Sequence, residues 1–423
     1  YVLGGNATLV GGSGNDQLNV GYYSSASLDG GEGNDNLYAY STRSATLQGG
    51  AGEDVLRVYV DGYSSQRTDG DQFIAKDFVL DGGDDNDSLT VHSYSSTSSG
   101  KITLTLLGGA GNDNLNVTDA DAGRTNSYGN SYGIAQASLD GGEGDDTLTA
   151  SGVLQLSLTG GAGVDTFVLT AQQYRTLLEG TRTFYNYSGG YNETSVSADP
   201  VLITDFAAGA GGDVLDYSDL LRNASLSYDG GNPFGSGFLQ LQQSGADTLL
   251  SFDADGGGNG YVTLAVLKNV SASSLTAANF NPSYPLDGSP ALGQSMTGTS
   301  LDDALVGGFG DDTIVGQEGN DTLDGQAGID WLDGGDGNDL IQGGFGNDSL
   351  FGGNGNDTLS DNHGSNLLDG GAGDDTLSAQ SLSGQHTLLG GTGSDRLNST
   401  GLAVHLDGGD QDDYLEAIGY LYE

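Results

Sequence analysis

Residues 307 to 360 are six consecutive nonamers: GGFGDDTIV, GQEGNDTLD, GQAGIDWLD, GGDGNDLIQ, GGFGNDSLF and GGNGNDTLS. Each has Gly at its first and fourth positions, Asp at its sixth and an apolar residue at its eighth. A short fixed period is typical of solenoid folds, in which each repeat packs on its neighbours. The glycines suit a tight turn, and the apolar residue between polar neighbours indicates a very short strand. Two nonamers therefore predict one coil of eighteen residues.

Carboxylates eighteen residues apart should lie on neighbouring coils, at a spacing of roughly 4.8 Å. Two files are predicted on opposite edges of the roll: Asp312, Asp330 and Asp348 on one, and Asp321, Asp339 and Asp357 on the other. Carboxylates this close repel one another unless a cation lies between them. From residue 297 onward the sequence has one basic residue, Arg396, against 24 acidic residues, so side chains cannot supply that cation. Ligation by carboxylate and carbonyl oxygens alone favours multiple calcium ions over magnesium or zinc.

A related hexad recurs at wider spacing in residues 1–168. Its aspartates are Asp16, Asp35, Asp54, Asp87, Asp113, Asp146 and Asp165, separated by 19, 19, 33, 26, 33 and 19 residues. A strand-like segment precedes and follows each hexad, so the pattern predicts a two-stranded coil with calcium on one edge only. The longer spacings indicate insertions at the other edge. After residue 360 the roll is again expected to be one-sided, with metal ligands Asp375, Asp395 and Asp413.

These hexads and nonamers resemble the calcium-binding nonapeptide of the RTX (repeats-in-toxin) proteins. The resemblance implies an all-β fold, a parallel β-roll or β-solenoid with two modules. The calcium edge would be one-sided in 1–168, and the roll two-sided in 307–360. The segment 160–270, which includes VLITDFAAGAGGDVLDYSDLL (201–221), resembles the closing domain of type I secretion targets. It implies export of an unfolded chain and folding outside the cell, where calcium is abundant.

Composition shifts predict four segments along the chain. A one-sided calcium solenoid spans 1–168, a closing, secretion-like β segment with an insertion spans 169–280, a Pro-rich linker spans 281–296, and an RTX β-roll spans 297–423. Within the second segment, Asp253, Asp255 and Gly258 fall at the first, third and sixth positions of an EF-hand loop. Leu264 stands at the twelfth position, where a bidentate Glu is needed. A glycine-rich hairpin is therefore favoured there over an independent ion.

The overall composition limits the possible partners. The chain has 423 residues, 76 glycines, no cysteine and a formal net charge of −47. Such a surface is a poor partner for nucleic acid or anionic membranes. Membrane insertion is not expected, because no apolar run reaches about 18 residues. The chain begins at Tyr1 in mid-pattern, so we expect it to be part of a larger extracellular or cell-surface protein.

Sequence motifs for catalysis are weak, and we expect no enzyme activity. The GNSYG motif at 129–133 lacks the strand-to-helix context of a hydrolase elbow, and no HExxH is present. One hypothesis is the calcium-dependent structural or adhesive region of a secreted surface protein, such as an adhesin, surface-layer or filament subunit. Its Tyr-rich second edge would self-associate or stack on extracellular carbohydrate, or would only stabilise the sheet. The alternative is the export and folding tail of a secreted protease, lipase or polysaccharide-modifying enzyme.

Overall fold

Parallel strands stacked in register form most of this fold. The computed structural model describes residues 5–23, 25–61, 77–94, 101–120, 133–186, 192–225, 228, 230–381 and 384–419. By their contacts the residues group into two units. Unit 1 consists of Tyr1–Ala224, Gln240–Phe252 and Val262–Asn281, and unit 2 of Ser225–Leu239, Asp253–Tyr261 and Pro282–Glu423. The predicted all-β parallel roll is confirmed.

Unit 1 is built on two long sheets, because each strand pairs with the equivalent strand of the next coil. The first sheet contains, in spatial order, β1 (Asn6–Ser13), β3 (Ser25–Glu32), β5 (Ala45–Ala51), β7 (Asp77–Asp84), β9 (Ile102–Ala110), β11 (Ile134–Glu143), β13 (Gln155–Ala162), β17 (Val201–Ile203), β21 (Val262–Leu267), β20 (Asp247–Phe252) and β19 (Leu239–Ser244). The second contains β2 (Gln17–Gly21), β4 (Asn36–Tyr40), β6 (Val55–Asp61), β8 (Ser88–Tyr94), β10 (Asn114–Asp119), β12 (Thr147–Ser151), β14 (Thr166–Leu169), β18 (Val214–Asp216) and β22 (Phe280–Asn281).

The core of unit 1 lies between these two sheets. Alternation along each strand turns one side chain in two inward, and equivalent leucines pair across coils, as Leu28 does with Leu47 and Leu47 with Leu80. These three side chains are fully buried. The register survives an insertion, since the last pair is separated by 33 residues and the first by 19. Coil length therefore varies without shifting the core.

The polar insertion at 170–199 contains regular structure that its sequence did not predict. It forms helix α1 (Ala171–Glu179) and an antiparallel hairpin of β15 (Thr181–Asn186) and β16 (Asn192–Ser197). The Thr170 hydroxyl caps α1 by accepting the N–H of Gln173 at 3.1 Å, an N-cap arrangement that stabilises a helix start. A second short helix, α2 (Ser218–Asn223), and two 3₁₀ turns (Ala272–Ser274 and Ala277–Asn279) complete the unit.

Unit 2 repeats the two-sheet coil at the shorter period. One sheet contains β23 (Ser295–Thr297), β25 (Thr313–Glu318), β27 (Trp331–Asp336), β29 (Ser349–Asn354), β31 (Leu367–Ala372), β33 (Gln385–Thr392) and β35 (Ala403–Asp410). The other contains β24 (Ala304–Phe309), β26 (Thr322–Ala327), β28 (Leu340–Phe345), β30 (Thr358–Asp361), β32 (Thr376–Gln380), β34 (Arg396–Thr400) and β36 (Tyr414–Ile418). The eighth residue of each nonamer forms the core between them: Ile314, Leu323, Leu332, Ile341, Leu350 and Leu359 are at most 1% exposed.

Part of the Pro-rich segment packs within unit 2. Tyr284 is buried, and its hydroxyl donates to the Gly230 carbonyl at 2.6 Å. The Asn232 amide donates to the Pro285 and Ser289 carbonyls at 2.7 Å each. The division of the chain into four segments, with a linker at 281–296, stays a prediction. Among the described residues, no helix is both long and apolar enough to cross a membrane.

Candidate metal centres

In unit 1, one aspartate per coil forms a continuous file along a single edge. Asp54 illustrates the geometry: its Oδ1 accepts the N–H of Asp35 at 2.7 Å, and its own N–H donates to Oδ1 of Asp87 at 2.7 Å. The same bond joins every successive pair of Asp16, Asp35, Asp54, Asp87, Asp113, Asp146 and Asp165, at 2.7 to 3.0 Å. All seven predicted residues therefore lie together, on one edge, as the spacing indicates.

Unit 2 has two such files on opposite turns of the coil. The longer one links Asp303, Asp321, Asp339, Asp357, Asp375, Asp395 and Asp413 through backbone N–H to Oδ1 bonds of 2.7 to 3.0 Å. The shorter one links Asp312, Asp330, Asp348 and Asn366 at 2.8 to 2.9 Å. The roll is thus two-sided through the nonamers and one-sided after them.

The second carboxylate oxygen of these residues is what marks a ligand site. In fifteen of the file aspartates, Oδ2 is buried and has no hydrogen-bond partner among the described residues. This holds for Asp16, Asp35, Asp54, Asp87, Asp113, Asp146, Asp165, Asp312, Asp321, Asp330, Asp339, Asp348, Asp357, Asp375 and Asp395. A buried carboxylate oxygen without a partner is costly. Its recurrence on coil after coil is what a shared cation would explain.

Backbone carbonyls complete the oxygen set around each Oδ2. At Gly316, the first residue of its nonamer, an added Cβ would overlap Oδ2 of Asp321 and would lie 2.5 Å from the Gly334 carbonyl oxygen of the next coil. In unit 1, Gly82 is crowded in the same way by Oδ2 of Asp87 and the Gly108 carbonyl oxygen. The first-position glycine is therefore required because oxygens converge beside it, where any side chain would displace them.

The fourth-position glycine is required for a different reason, a positive φ. Asp85 replaces this glycine in the hexad that contains Asp87, yet it adopts a φ of 75°. Asp tolerates this left-handed region better than most residues. The file continues undisturbed, since Asp87 donates to Oδ1 of Asp113 at 2.8 Å.

Burial raises the pKa of eight of the file carboxyls to between about 6 and about 8 in the metal-free fold. Desolvation is the largest cause in each case, and the N–H donated by the preceding Asp partly opposes it. The pKa rises to about 6 for Asp54, Asp113, Asp165 and Asp357, to about 7 for Asp87, Asp146 and Asp375, and to about 8 for Asp330. The ionised form is thus disfavoured until a cation offsets the desolvation.

The donor set fits calcium. It consists of one carboxylate oxygen and carbonyl oxygens from neighbouring coils, all hard ligands from glycine-rich turns. No group of three or more His, Cys, Asp or Glu side chains gathers at one point in the described part of the chain. The sites therefore depend on backbone carbonyls, which disfavours zinc and other metals that prefer nitrogen or sulfur. When bound, calcium supplies the positive charge between coils.

Four residues of these files were not predicted as ligands. Asp303 lies eighteen residues before Asp321 in a degenerate repeat, so the period could have found it. Asp213 extends the file of unit 1, but both its oxygens accept backbone N–H groups, from Asp165 at 3.1 Å and Ala207 at 2.7 Å. It ends the file without an open oxygen. Asn366 and Asp361, in the coil that follows the nonamers, are treated below.

The loop at 253–260 is closed by its own hydrogen bonds. Oδ2 of Asp253 accepts the N–H groups of Asn259 and Gly260 at 2.9 and 3.0 Å. These bonds hold a glycine-rich turn around one carboxylate oxygen of Asp253. The GNSYG motif, apart from Gly133, lies outside the described residues. So do three tyrosines of the Tyr-rich second edge: Tyr63, Tyr128 and Tyr132.

Taken together, the stacked coils and the carboxylate files define a calcium-binding parallel β-roll. A family model for the RTX calcium-binding nonapeptide repeat matches residues 1–22, 26–41, 138–152, 297–332, 324–359, 351–381 and 387–417. The chain therefore carries RTX calcium-binding repeats in both units and binds multiple calcium ions. No individual curated protein matches the sequence.

Proposed function

We propose that this chain is the calcium-dependent structural and adhesive repeat region of an exported surface protein, with no catalytic role. The observation that carries the proposal is the recurrence of buried, unpartnered Oδ2 atoms along three files. A fold that places so many carboxylates side by side is stable only where calcium is plentiful. The extracellular medium meets that condition and the cytosol does not.

The magnitude of calcium stabilisation is large enough to control folding. Calcium sites of extracellular modules bind at roughly 10⁻⁴ to 10⁻³ M. At ten times the dissociation constant, each site adds about 1.4 kcal/mol to the free energy of unfolding. Roughly ten such sites would then contribute about 14 kcal/mol, which matches the whole stability of an ordinary domain, 5 to 15 kcal/mol. Calcium binding can therefore decide whether the chain is folded.

The adhesive part of the proposal rests on an aromatic ladder along the second sheet of unit 1. Tyr38 and Tyr59 meet edge to face at 5.4 Å, Tyr59 contacts His92 at 5.1 Å, and Tyr59 stacks on Tyr94 at 6.2 Å. Tyr22 extends the row toward Tyr40 at 5.4 Å. Tyr22 and Tyr94 are 51% and 49% exposed. Aromatic side chains grouped on a surface favour partner binding.

The net charge of −47 disfavours anionic partners. Anionic glycans and membranes would be repelled at moderate ionic strength. A neutral polysaccharide offers apolar ring faces that can lie on tyrosines and hydroxyl groups that can bond at their edges. This partner class suits an adhesin better than a purely structural lattice.

A calcium titration tests the folding part. Far-ultraviolet circular dichroism should show little β-structure in excess chelator and a cooperative gain as calcium rises through the millimolar range. Complete β-structure in chelator at pH 7.5 would refute calcium-dependent folding.

Cosedimentation with insoluble cellulose and chitin tests the adhesive part. Replacing both Tyr22 and Tyr94 with Ser should abolish cosedimentation while circular dichroism is unchanged. Tyr414→Ser is a matched control, since Tyr414 is 50% exposed but lies in unit 2. If the wild-type chain does not bind either polymer in calcium, the adhesive assignment to neutral polysaccharide is wrong.

A further inference from the structure

The coil that follows the six nonamers departs from the repeat at two positions. It spans DNHGSNLLD (361–369), with Asp361 at the first position, where every preceding nonamer has Gly. Asn366 occupies the sixth position in place of the ligand Asp. By sequence alone this coil has lost its metal ligand. The structure shows that a carboxylate is still present on the same edge.

Asp361 is fully buried and points into the roll. It follows Leu359 on β30, and strand alternation places it inward, paired with Ala379 of the next coil. Its Oδ1 accepts the N–H of His363 at 3.0 Å. Its Oδ2 is buried and has no hydrogen-bond partner among the described residues. The carboxylate of Asp361 is thus arranged like those of the file aspartates: one oxygen accepts a backbone N–H, and the other has no hydrogen-bond partner among the described residues.

The open oxygen of Asp361 is directed at the site of the preceding coil. An added Cβ on Gly343 would overlap Oδ2 of Asp361 and lie 2.8 Å from Oδ2 of Asp348. Oδ2 of Asp348 is also buried without a partner, while its Oδ1 accepts the Asp330 N–H at 2.8 Å. Two unpartnered carboxylate oxygens therefore converge beside one glycine.

The neighbouring sites show what Asp361 replaces. Beside Gly325, the previous first-position glycine of this file, Oδ2 of Asp330 is accompanied by the Gly343 carbonyl oxygen, 2.6 Å from the added Cβ. Beside Gly343, the equivalent nearest oxygen is the carboxylate of Asp361. A second carboxylate oxygen thus lies beside this glycine, where the equivalent position next to Gly325 has a backbone carbonyl oxygen.

No Lys or Arg side chain of unit 2 neutralises the pair. Arg396 is the single Lys or Arg in the sequence of unit 2. Its guanidinium lies over the ring of Tyr414, 4.6 Å from the centroid. A bound cation or a shared proton must therefore offset the two charges.

We propose that Asp348 and Asp361 together bind a calcium ion, and that this ion is the last on its edge of the roll. The inference rests on the proposed calcium-loaded fold, and it assigns a ligand that the nonapeptide pattern does not contain. With two carboxylates, this site binds calcium more tightly than its neighbours, because calcium affinity rises with ligand charge.

The next coil explains why the file ends here. Asn366 uses its amide Nδ2 to donate to the His363 carbonyl at 2.7 Å, and its backbone N–H faces Nδ1 of His386 at 3.4 Å. His386 is 3% exposed, burial lowers the pKa of its imidazole, and its Nδ1 accepts a hydrogen bond, an arrangement that fits the neutral ring. On the coils after Asp348, this edge therefore carries the neutral groups Asn366 and His386 in place of carboxylates. No further negative charge has to be offset there.

The test is a count of bound calcium in the full chain. Equilibrium dialysis against calcium, followed by elemental analysis, gives the ions per chain, and competition with a chromophoric chelator gives their affinities. Asp361→Asn keeps the size of the side chain and should bind one ion fewer, or bind one ion at least about tenfold more weakly. Asp336→Asn is the matched control, because it removes one exposed carboxylate from the same roll and should leave the count unchanged.

A shared proton is the competing explanation. In that case Asp361→Asn would retain every ion at wild-type affinity, and this result would overturn the proposal. If Asp361→Asn fails to fold in calcium, Asp361→Gly restores the residue of the six nonamers and should fold. Its tightest ion should then be bound about tenfold more weakly than in the wild type, because one charged ligand is lost and the site becomes like its neighbours. Unchanged affinities in that variant would refute the proposal. A failure of the whole chain to bind calcium would instead refute the proposed function.

Discussion

Asp339→Asn should destabilise unit 2 only when calcium is present. Asp339 is buried in the middle of the long file, and its Oδ1 accepts the Asp321 N–H at 2.7 Å. An Asn side chain can keep this bond, as Asn366 does when its Oδ1 accepts the Asp348 N–H at 2.9 Å. The substitution therefore changes one atom, Oδ2, into an amide nitrogen.

The expected magnitude follows from the bound ion. If the variant loses one site with a dissociation constant of roughly 10⁻⁴ to 10⁻³ M, it loses about 1.4 to 2.7 kcal/mol at 10 mM calcium. Without calcium, the amide removes a buried carboxyl whose pKa is raised by burial. It can also donate to the Gly352 carbonyl oxygen, which lies beside Gly334 with Oδ2 of Asp339. The metal-free variant should be as stable as the wild type or slightly more stable.

The assay is urea unfolding followed by circular dichroism at several calcium concentrations between 0.5 and about 10 mM, a range set by the expected affinity. The difference in unfolding free energy between variant and wild type should grow with the logarithm of calcium concentration. Asp336→Asn is the control, because it removes an equal charge from an exposed position. A deficit that is the same at every calcium concentration would refute the reasoning, since it would make Asp339 a structural residue and not a ligand.

Three further predictions concern the same roll. Calcium affinity should fall as pH falls from 8 to 5, with protons released on binding, because desolvation raises the metal-free pKa of Asp330 to about 8. The metal-free fold should show the opposite trend. The raised pKa stabilises it fully below the unfolded pKa of 3.8, and this stability is lost as pH rises through the folded pKa. A pH-stat titration and circular dichroism in chelator at pH 5 and pH 8 measure the two effects, and equal calcium affinity at both pH values would contradict them. Gly352→Ala should weaken calcium binding, because its Cβ would overlap Oδ2 of Asp357. Gly419→Ala is the control and should not, since nothing lies within 4 Å of its Cβ. Isothermal calorimetry of calcium binding compares the two variants. Leu350→Ala should cost about 2 to 5 kcal/mol at every calcium concentration, because Leu350 is fully buried in the core, and a calcium-dependent cost would show that core and ion sites are not separable.

The ligand files were predictable because a fixed period determines both register and charge. Once Asp312 and Asp330 are known to lie one coil apart, their neighbours in the file follow from counting, and the N–H to Oδ1 bonds repeat without exception along the nonamers. Asp361 was not predictable in this way. It replaces a glycine at the first position, where the pattern offers a carbonyl and no side chain, so its inward direction depends on the pleat of β30 and on the space beside Gly343.

The helix and hairpin at 170–199 were missed for another reason. The segment is polar and has no period of two or 3.6, so it carries no periodic signal for a helix or a strand. Helix α1 forms through its Thr170 cap and through contact with the rest of unit 1, where Tyr174 lies edge-on to Phe252 at 5.0 Å. Such tertiary contacts join residues far apart in sequence and leave no local pattern.

The two edges of unit 1 differ in how much variation they accept, and the difference follows from the ions. On the calcium edge, the bond from Asp54 to Asp87 spans 33 residues and the bond from Asp35 to Asp54 spans 19, yet both measure 2.7 Å. In the sequence, the additional residues fall between β6 and β7 and not in the calcium turn that joins β5 to β6. A turn that must present oxygens to a cation at 2.3 to 2.6 Å cannot change length, whereas a turn that only reverses the chain can. Differences in coil length therefore accumulate outside the calcium turns, so the ligand files keep the same geometry from one coil to the next.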